Sequence, residues 1–392
     1  MYGFDMFFWV LTNSAVHVCA YFYVGWRLCN LLAYRFPQVK TRVFLPLYGL
    51  MLIPMFFEFL PVTFRLPYAI RVIGGYWTGI YFYMFLFIAL SDIIIFLPKF
   101  LSRWLKKAEN TAEAKHSLQR TRFYVGLVAV VLALSTAGYG FINARRIVVT
   151  HHEITLTRPM PGEPVNIVFI ADLHLGAFGS EPLLPRLVEK INVQNPCMVA
   201  LVGDTFNDDF YAIRNPERAA ALFREINAPL GVFACLGNHD AGRTLPSMLA
   251  FFERAGVTVL KEDYAIIDER FILIGRLDET PFNGFDALGD LRRGEFSNII
   301  DLGENTLPVI VLEHNPRHIP EYTGEVDLVL MGHTHGGQVF PATIVTRIIN
   351  TIDRGHMQND YGVHFIVTTG AHTTLFPMRT DSNNEIVRVV VR

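Results

Sequence analysis

An apolar run followed at once by a histidine-rich turn, LVLMGHTHGGQ, occupies residues 328–338. The apolar part predicts a buried strand at Leu328–Met331. The turn after it holds His333 and His335, whose imidazoles are common metal ligands. Open α/β sheets build their sites in the loops outside the carboxyl ends of the strands, so this stretch predicts an α/β sheet with a site at one edge.

The same arrangement occurs at four other places in the chain. Each is a short apolar run that predicts a strand and is followed within a few residues by Asp, Asn or His. The four runs are Val165–Ile170, Met198–Val202, 232–236 and Val309–Leu312. The polar residues after them are, in chain order, Asp172 and His174, then Asp204, then Asn238, His239 and Asp240, then His314. Five such strand ends predict one shared metal site.

Helical patterns alternate with the strands, at about residues 183–192, 216–226 and 246–255. A further strand is predicted at Phe271–Gly275. Alternating strands and helices predict a layered α/β domain. Late strand patterns at about residues 363–368 and 386–391 predict a second sheet.

The composition differs between two parts of the chain. The 392 residues are 51% hydrophobic and 18% charged, whereas a soluble domain carries about 25% charged residues. This excludes a disordered or nucleic-acid-coating protein. Residues 1–143 hold 13 basic and 5 acidic residues, a net charge of +8, and the remainder has a net charge of −10. We therefore expect two units, 1–143 and 144–392.

Residues 1–143 contain four apolar stretches, each near the ~20 residues that a membrane-spanning helix needs. They lie at about residues 7–33, 43–62, 72–97 and 123–142 and predict about four transmembrane helices. The connections after the first and third stretches hold ten basic residues, against Arg65 and Arg71 after the second. The positive-inside rule then predicts an extracytoplasmic C-terminal unit. Arg145 and Arg146 argue weakly against it.

Two acidic residues, Glu58 and Asp92, lie within these apolar stretches. Acidic residues at membrane depth can mark a proton or substrate path. The other interpretation, which we favour for Asp92, is that the side chain reaches the nearby cytoplasmic interface.

The ordered motifs ADLH, VGD, GNHD, EHNP and GHTHGGQ resemble the calcineurin-like metallophosphoesterase superfamily over about residues 165–338, and FPMRTDSNNEIV extends the resemblance towards the C-terminus. The last motif is most similar to that of membrane-anchored bacterial phosphoesterases. The resemblance implies a four-layer αββα sandwich, here preceded by an all-α transmembrane region in a bacterial cytoplasmic membrane. It also implies hydrolysis of phosphoesters with two divalent metal ions.

The resemblance implies seven metal ligands. The first metal would be held by Asp172, His174 and His335, the second by Asn238, His314 and His333, with Asp204 bridging the two. Ligands of this mixed type suit Mn, Fe or Zn better than calcium. Two such cations lower the pKa of a bridging water and neutralise phosphoryl oxygens.

The resemblance implies further roles beside the metals. His239 would protonate the leaving oxygen, and Asp240 would orient or charge-tune its imidazole. Arg379 matches a family arginine that either contacts phosphate or forms a structural salt bridge. The family often has GD-x-x-D, and here Asp208 stands one residue late.

Several functions remain open on the sequence. A membrane-anchored phosphoesterase would act on phosphorylated small molecules or lipids; a cytoplasmic one would resemble UDP-diacylglucosamine pyrophosphohydrolases. A non-enzymatic metal-stabilised sensor or scaffold predicts damaged ligand positions, and all are intact. A nuclease is disfavoured because the net charge of −10 leaves no basic track for nucleic acid.

Overall fold

The chain divides into two compact units, Met1–Tyr139 and Gly140–Arg392. The computed structural model describes residues 2–56, 68–104, 112–177, 179–280, 291–303 and 305–392. The division lies a few residues before the boundary that the charge distribution predicts.

The described secondary structure of the first unit is helical, apart from a short turn at residues 36–40. Its helices are α1 (Tyr2–Arg35), α2 (Thr41–Phe56), α3 (Tyr68–Trp104) and α4 (Ala112–Asn143), the last of which continues into the second unit. Two described segments, Ala69–Leu97 and His116–Asn143, are long and apolar enough to cross a membrane, and Thr41–Ile53 is a shorter apolar helix. The count of four spans therefore stays a prediction. Glu58 lies outside the described residues.

Asp92 is paired inside the first unit. Its Oδ1 lies 2.7 Å from Nη2 of the buried Arg27, and its Oδ2 accepts a hydrogen bond of 2.7 Å from the Tyr23 hydroxyl. A partner of opposite charge therefore compensates this part-buried carboxylate, and the expectation that it reaches the cytoplasmic interface stays a prediction.

The second unit is built on two six-stranded sheets. The first sheet has the order β1 (Ile147–Ile154), β12 (Asn384–Val391), β2 (Val165–Ile170), β3 (Met198–Val202), β4 (Val232–Cys235) and β5 (Val257–Val259). The second has the order β10 (Gly355–Gln358), β11 (His364–Val367), β9 (Leu328–Met331), β8 (Val309–Leu312), β7 (Phe271–Gly275) and β6 (Asp263–Ile267). The strands that precede the polar motifs are all confirmed. They pair in parallel within each sheet, so their carboxyl ends lie at the same edge.

Strand β2 shows how the core is divided. Val168 and Ile170 point into an apolar cluster with helices α5 (Ser180–Val193), α6 (Pro216–Arg224) and α7 (Leu245–Ala255). Ile167 and Phe169 point into a second cluster between the two sheets. Successive side chains of a strand face opposite sides, so residues 167–170 of β2, which are buried on both faces, are all apolar.

The outer face of the second sheet differs from the expected sandwich. In the described part of this layer, Ile272 and Val329 pack against side chains from short 3₁₀ turns, Phe296–Asn298 and Pro316–Glu321, in place of α-helices. Pro320 lies inside the second turn, and proline removes a backbone donor that an α-helix needs. The late strands also separate: β11 joins the second sheet, but β12 pairs with β1 and β2 in the first.

Candidate metal centre

The ends of five strands bring the predicted metal ligands together. Three clusters each place their ligand atoms within 4.8 Å of one another: Asp172, His174 and His335; His174, Asp204 and His239; and Asp204, His314 and His333. Asn238 joins the third cluster, since its Oδ1 lies 2.9 Å from His333 Nδ1. Asp204 belongs to two clusters, which suits a carboxylate that bridges two cations.

The backbone is strained where it carries these ligands. The φ angles are positive, between 47° and 72°, at five of the seven: Asp172, His174, Asp204, His333 and His335. Residues other than glycine adopt this region rarely and at a cost of about 1–3 kcal/mol each, and such residues cluster at functional sites.

Glycines beside the ligands allow the strand ends to approach closely. A Cβ on Gly203, whose φ is +76°, would lie 2.3 Å from His314 Nδ1. A Cβ on Gly237 would lie 2.3 Å from Asp204 Oδ1. The space that the missing side chains leave is therefore occupied by the ligands themselves.

Hydrogen bonds to the backbone orient two of the imidazoles. His314 Nδ1 donates to the Val202 carbonyl at 2.9 Å, which turns Nε2 towards Asp204 Oδ2, 3.1 Å away. His335 Nδ1 lies 3.2 Å from the carbonyl of His372, which turns its Nε2 towards the cluster. Bonds of this kind fix the tautomer of metal-binding histidines and present the lone pair of the other nitrogen to the metal.

Buried carboxylates make the centre attractive to positive charge. Burial raises the pKa of Asp172 to about 7. Burial also acts to raise the pKa of Asp204, but the charge of His314 outweighs it and holds that pKa below its usual range. For His314, burial acts to lower the pKa. The charge of Asp204 outweighs the effect of burial and raises the pKa of His314 well above its ordinary value. The negative charge of these two carboxylates also favours the binding of metal cations.

The donor set fits two divalent cations. Burial lowers the pKa of His174 to about 3 and that of His333 to about 4, so both imidazoles are neutral at pH 7, as metal ligation requires. His174 Nε2 and His335 Nε2 face each other at 3.2 Å, and His314 Nε2 lies 3.1 Å from Asp204 Oδ2, where a bound cation would replace its proton. Lone pairs that converge in this way, next to two carboxylates, match the nitrogen and oxygen ligands of Mn, Fe or Zn.

The partner of the His239 imidazole is Asp208. His239 Nδ1 lies 2.8 Å from Asp208 Oδ1. The carboxylate of Asp240 instead accepts hydrogen bonds from the backbone N–H groups of Phe206, at 2.8 Å, and Gly237, at 2.9 Å. The expectation that Asp240 orients the imidazole is therefore corrected: its buried carboxylate braces the two turns that carry Asp204 and Asn238.

Asp208 also favours the protonated form of His239. Burial lowers the pKa of His239, but the hydrogen bond to Asp208 and the charge of Asp204 outweigh it and raise that pKa to about 9. An imidazole that keeps its proton at pH 7 beside the metal ligands is suited to donate it to a leaving oxygen.

Arg379 is fully buried and faces carbonyl groups. Its guanidinium donates to the backbone oxygens of His335, at 3.1 Å, and Thr369, at 2.7 Å, to Ser382 Oγ at 2.6 Å, and to the His372 carbonyl. This geometry makes Arg379 a positioning residue for the turn of His335, in place of the phosphate contact or salt bridge that we expected.

Two residues near the centre were not assigned from the sequence. In the sequence, Asp208 stands one residue after the position where the family often has its second aspartate. Nothing in the sequence indicates which group a carboxylate at this shifted position contacts. Asp278 is buried and acts to raise the pKa of His333. Its signal was present: it follows β7 just as the other polar residues follow their strands.

The chain is similar in sequence to several known proteins. Residues 165–337 match a family model described as calcineurin-like phosphoesterase. An "uncharacterized metallophosphoesterase" of Aquifex aeolicus is 29% identical over 262 residues, 67% of this chain and 98% of the relative. A "transmembrane protein with metallophosphoesterase domain" of Danio rerio is 25% identical over 344 residues, 83% of this chain and 74% of the relative. A solved dimetal phosphatase from Danio rerio aligns with a TM-score of 0.32 and 14% identity, over 55% of this chain and 90% of that chain.

Proposed function

We propose that this chain, whose residues 165–337 match a family model described as calcineurin-like phosphoesterase, is a membrane-anchored hydrolase of phosphoester or pyrophosphate bonds. The observation that carries the proposal is the convergence of seven metal-binding side chains on one edge of the sheets, beside a histidine held by a carboxylate. A metal-stabilised scaffold would need the ligands but not the paired His239 and Asp208, so the pair favours an enzyme.

Each side chain has a defined task in the proposed reaction. One metal is assigned to Asp172, His174 and His335, and the other to Asn238, His314 and His333, with Asp204 shared. When bound, the two cations supply a hydroxide at neutral pH and neutralise the phosphoryl oxygens. His239 donates its proton to the departing oxygen, and Asp208 holds the imidazole in place for that transfer.

Purified full-length protein with Mn²⁺ and a chromogenic phosphodiester tests the reaction. We expect Asp204→Asn and His239→Ala to abolish most of the activity, the first by loss of metal and the second with metal content unchanged. Asp209→Asn is the matched control, because Asp209 accepts a hydrogen bond from the nearby Tyr211 N–H and Asn keeps that acceptor. Full activity in either active-site variant would refute the proposal.

We also propose that the substrate is lipid-linked and that the catalytic unit is extracytoplasmic. The support is the apolar α3 and α4, the basic connections of the first unit, and relatives named transmembrane proteins. Reporter fusions after Arg392 test the topology. An active cytoplasmic reporter would refute the extracytoplasmic placement and favour a cytoplasmic pyrophosphohydrolase. A screen of phospholipids and lipid pyrophosphates against soluble esters tests the substrate class.

A further inference from the structure

Helix α8, Ala342–Ile349, exposes a row of large aliphatic side chains on the catalytic unit. The exposed fractions are 48% for Ile344, 55% for Val345, 76% for Ile348 and 71% for Ile349. Residues four apart in a helix lie above one another, so these four side chains form one continuous apolar face.

The polar side of α8 is the side that packs against the protein. Thr343 is buried, and the Thr346 hydroxyl donates to Asp353 Oδ2 at 3.0 Å. A Cβ on Gly337 would lie 2.4 Å from the Thr343 Cα, so the helix sits directly on the turn that carries the metal ligand His335. A helix at a water-exposed surface has the opposite arrangement, and an exposed apolar patch rimmed by polar residues marks a docking surface.

The patch is connected to the point where the last apolar helix enters this unit. The final turn of α4 lies within residues 140–392, and its Gly140 carbonyl accepts a hydrogen bond of 3.0 Å from Arg379 N. The next residue, Thr380, accepts a hydrogen bond of 3.1 Å through Oγ1 from Phe340 N, two residues before α8. One short hydrogen-bonded path therefore joins the end of a candidate membrane span to the apolar helix.

The residues around the patch match a bilayer surface. Phe340 and Leu375 add further exposed apolar side chains. Both lie on segments linked by hydrogen bonds near the start of α8: Phe340 N donates to Thr380 Oγ1, and Gln338 donates to the carbonyl of Thr374, next to Leu375. Arg347 lies within α8 and is exposed, and its Nε is 3.9 Å from Asp353 Oδ2, so this loosely paired guanidinium can also contact lipid phosphates. Helices that lie in a membrane interface combine an apolar face with basic residues in this way, with the apolar face about 5–10 Å below the headgroups.

We infer that α8 is an interfacial helix, whose apolar face lies in the bilayer that α4 spans and whose docking holds the metal centre at the level of the lipid headgroups. The inference rests on the proposed membrane placement of α4. It goes beyond that placement, because it adds a second contact between the catalytic unit and the lipid and fixes which edge of the unit faces it.

Photocrosslinking in the full-length protein tests this placement. Benzoylphenylalanine is introduced at Ile348, at Val131 on α4, and at Val193 on α5, positions that are all exposed, and the protein is reconstituted in vesicles of phosphatidylcholine and phosphatidylglycerol. We expect phospholipid adducts from positions 348 and 131 and none from position 193. Adducts at 131 without adducts at 348 would overturn the role of α8 alone. No adduct at 131 would overturn the membrane placement as well, and crosslinked dimers from 348 would assign the face to a second copy of the chain.

Kinetics give a second, independent readout. We expect Ile348→Ser to lower kcat/KM about tenfold for a phosphodiester carried in these vesicles and to leave kcat/KM for a soluble chromogenic phosphodiester unchanged. Val193→Ser is the matched control and should alter neither. Equal losses on both substrates would show a structural role for Ile348 and overturn the inference.

Discussion

Replacing Asp208 by Asn removes the negative charge beside His239 and keeps an oxygen that accepts the hydrogen bond. The pair is joined by a 2.8 Å bond to Nδ1, and a second bond of 3.1 Å links Asp208 N to the His239 carbonyl, which the substitution leaves intact. The imidazole should therefore stay in place but bind its proton less firmly. The hydrogen bond to Asp208 is the largest interaction that raises the pKa of His239 to about 9, so the carboxylate does most to keep the proton on the ring.

The size of the effect is bracketed by two limits. Removal of a general acid costs about 10²–10⁴-fold in rate, which is the limit for His239→Ala. Loss of a partner that supports a functional histidine costs about 10–100-fold, equal to about 1.4–2.7 kcal/mol of transition-state stabilisation. We expect Asp208→Asn to lower kcat within the second range and Asp208→Ala to fall further, because Ala also loses the acceptor that orients the ring.

The assay compares leaving groups of different basicity in metal-loaded full-length protein. A nitrophenolate leaves without a proton, whereas an alkoxide needs one, so the loss of kcat should be larger for an alkyl phosphodiester than for the nitrophenyl ester. Asp209→Asn is again the matched control, and metal content is measured for every variant. Equal losses for both leaving groups, or wild-type kcat in Asp208→Asn, would refute the assignment of His239 and Asp208 as a proton-donating pair.

Three further outcomes follow from the second unit. Gly203→Ala should lose bound metal and activity, because a Cβ there would lie 2.3 Å from His314 Nδ1 and φ is +76°. Gly242→Ala is the control, because φ is +99° there but nothing lies within 4 Å of the added Cβ. It should lower the free energy of unfolding only by the backbone strain, about 1–2 kcal/mol. A chelator should lower the midpoint of thermal unfolding, because cations held by Asp172 and Asp204 would stabilise the folded state. Added Mn²⁺ or Zn²⁺ should restore the midpoint, and an unchanged midpoint would contradict the metal centre. Burial lowers the pKa of His152, His356 and His364, so the unfolded chain binds more protons than the folded one and the free energy of unfolding should fall as the pH drops below about 6.5. His364→Gln should make this fall less steep, and His151→Gln should leave it unchanged. An equal slope in the two variants would contradict the role of the buried histidines.

Much of the site was predictable because its signals are local. Side chains of the strands before the motifs face two apolar environments in turn, so these strands are almost entirely apolar. Each strand ends in a turn whose residues carry the ligands. Asp172 and His174 follow β2 in this way, and His333 and His335 follow β9. Parallel strands bring such turns to one edge, so the convergence of the ligands follows from the pattern of the chain.

The partners of the supporting residues depended on the tertiary structure. Asp240 is adjacent to His239 in the sequence, yet its carboxylate accepts bonds from Phe206 and Gly237, and Asp208 takes the imidazole. Such pairings are set by distances between segments that are remote along the chain. The aliphatic residues of α8 gave no sequence signal of their direction, because an apolar helix face is equally consistent with a core.

The amino-acid sequence by itself determined the chemistry of this protein: which side chains can bind metal, which strands precede them, and that an apolar basic region comes before an acidic α/β region. Only the tertiary structure decided how the supporting groups are used: that Arg379 is buried among carbonyls, that β12 joins the first sheet, and that α8 turns its apolar face outward. The physical reason is that residue type and periodicity act over a few neighbouring residues. Burial and hydrogen-bond partners depend on how all the segments pack together.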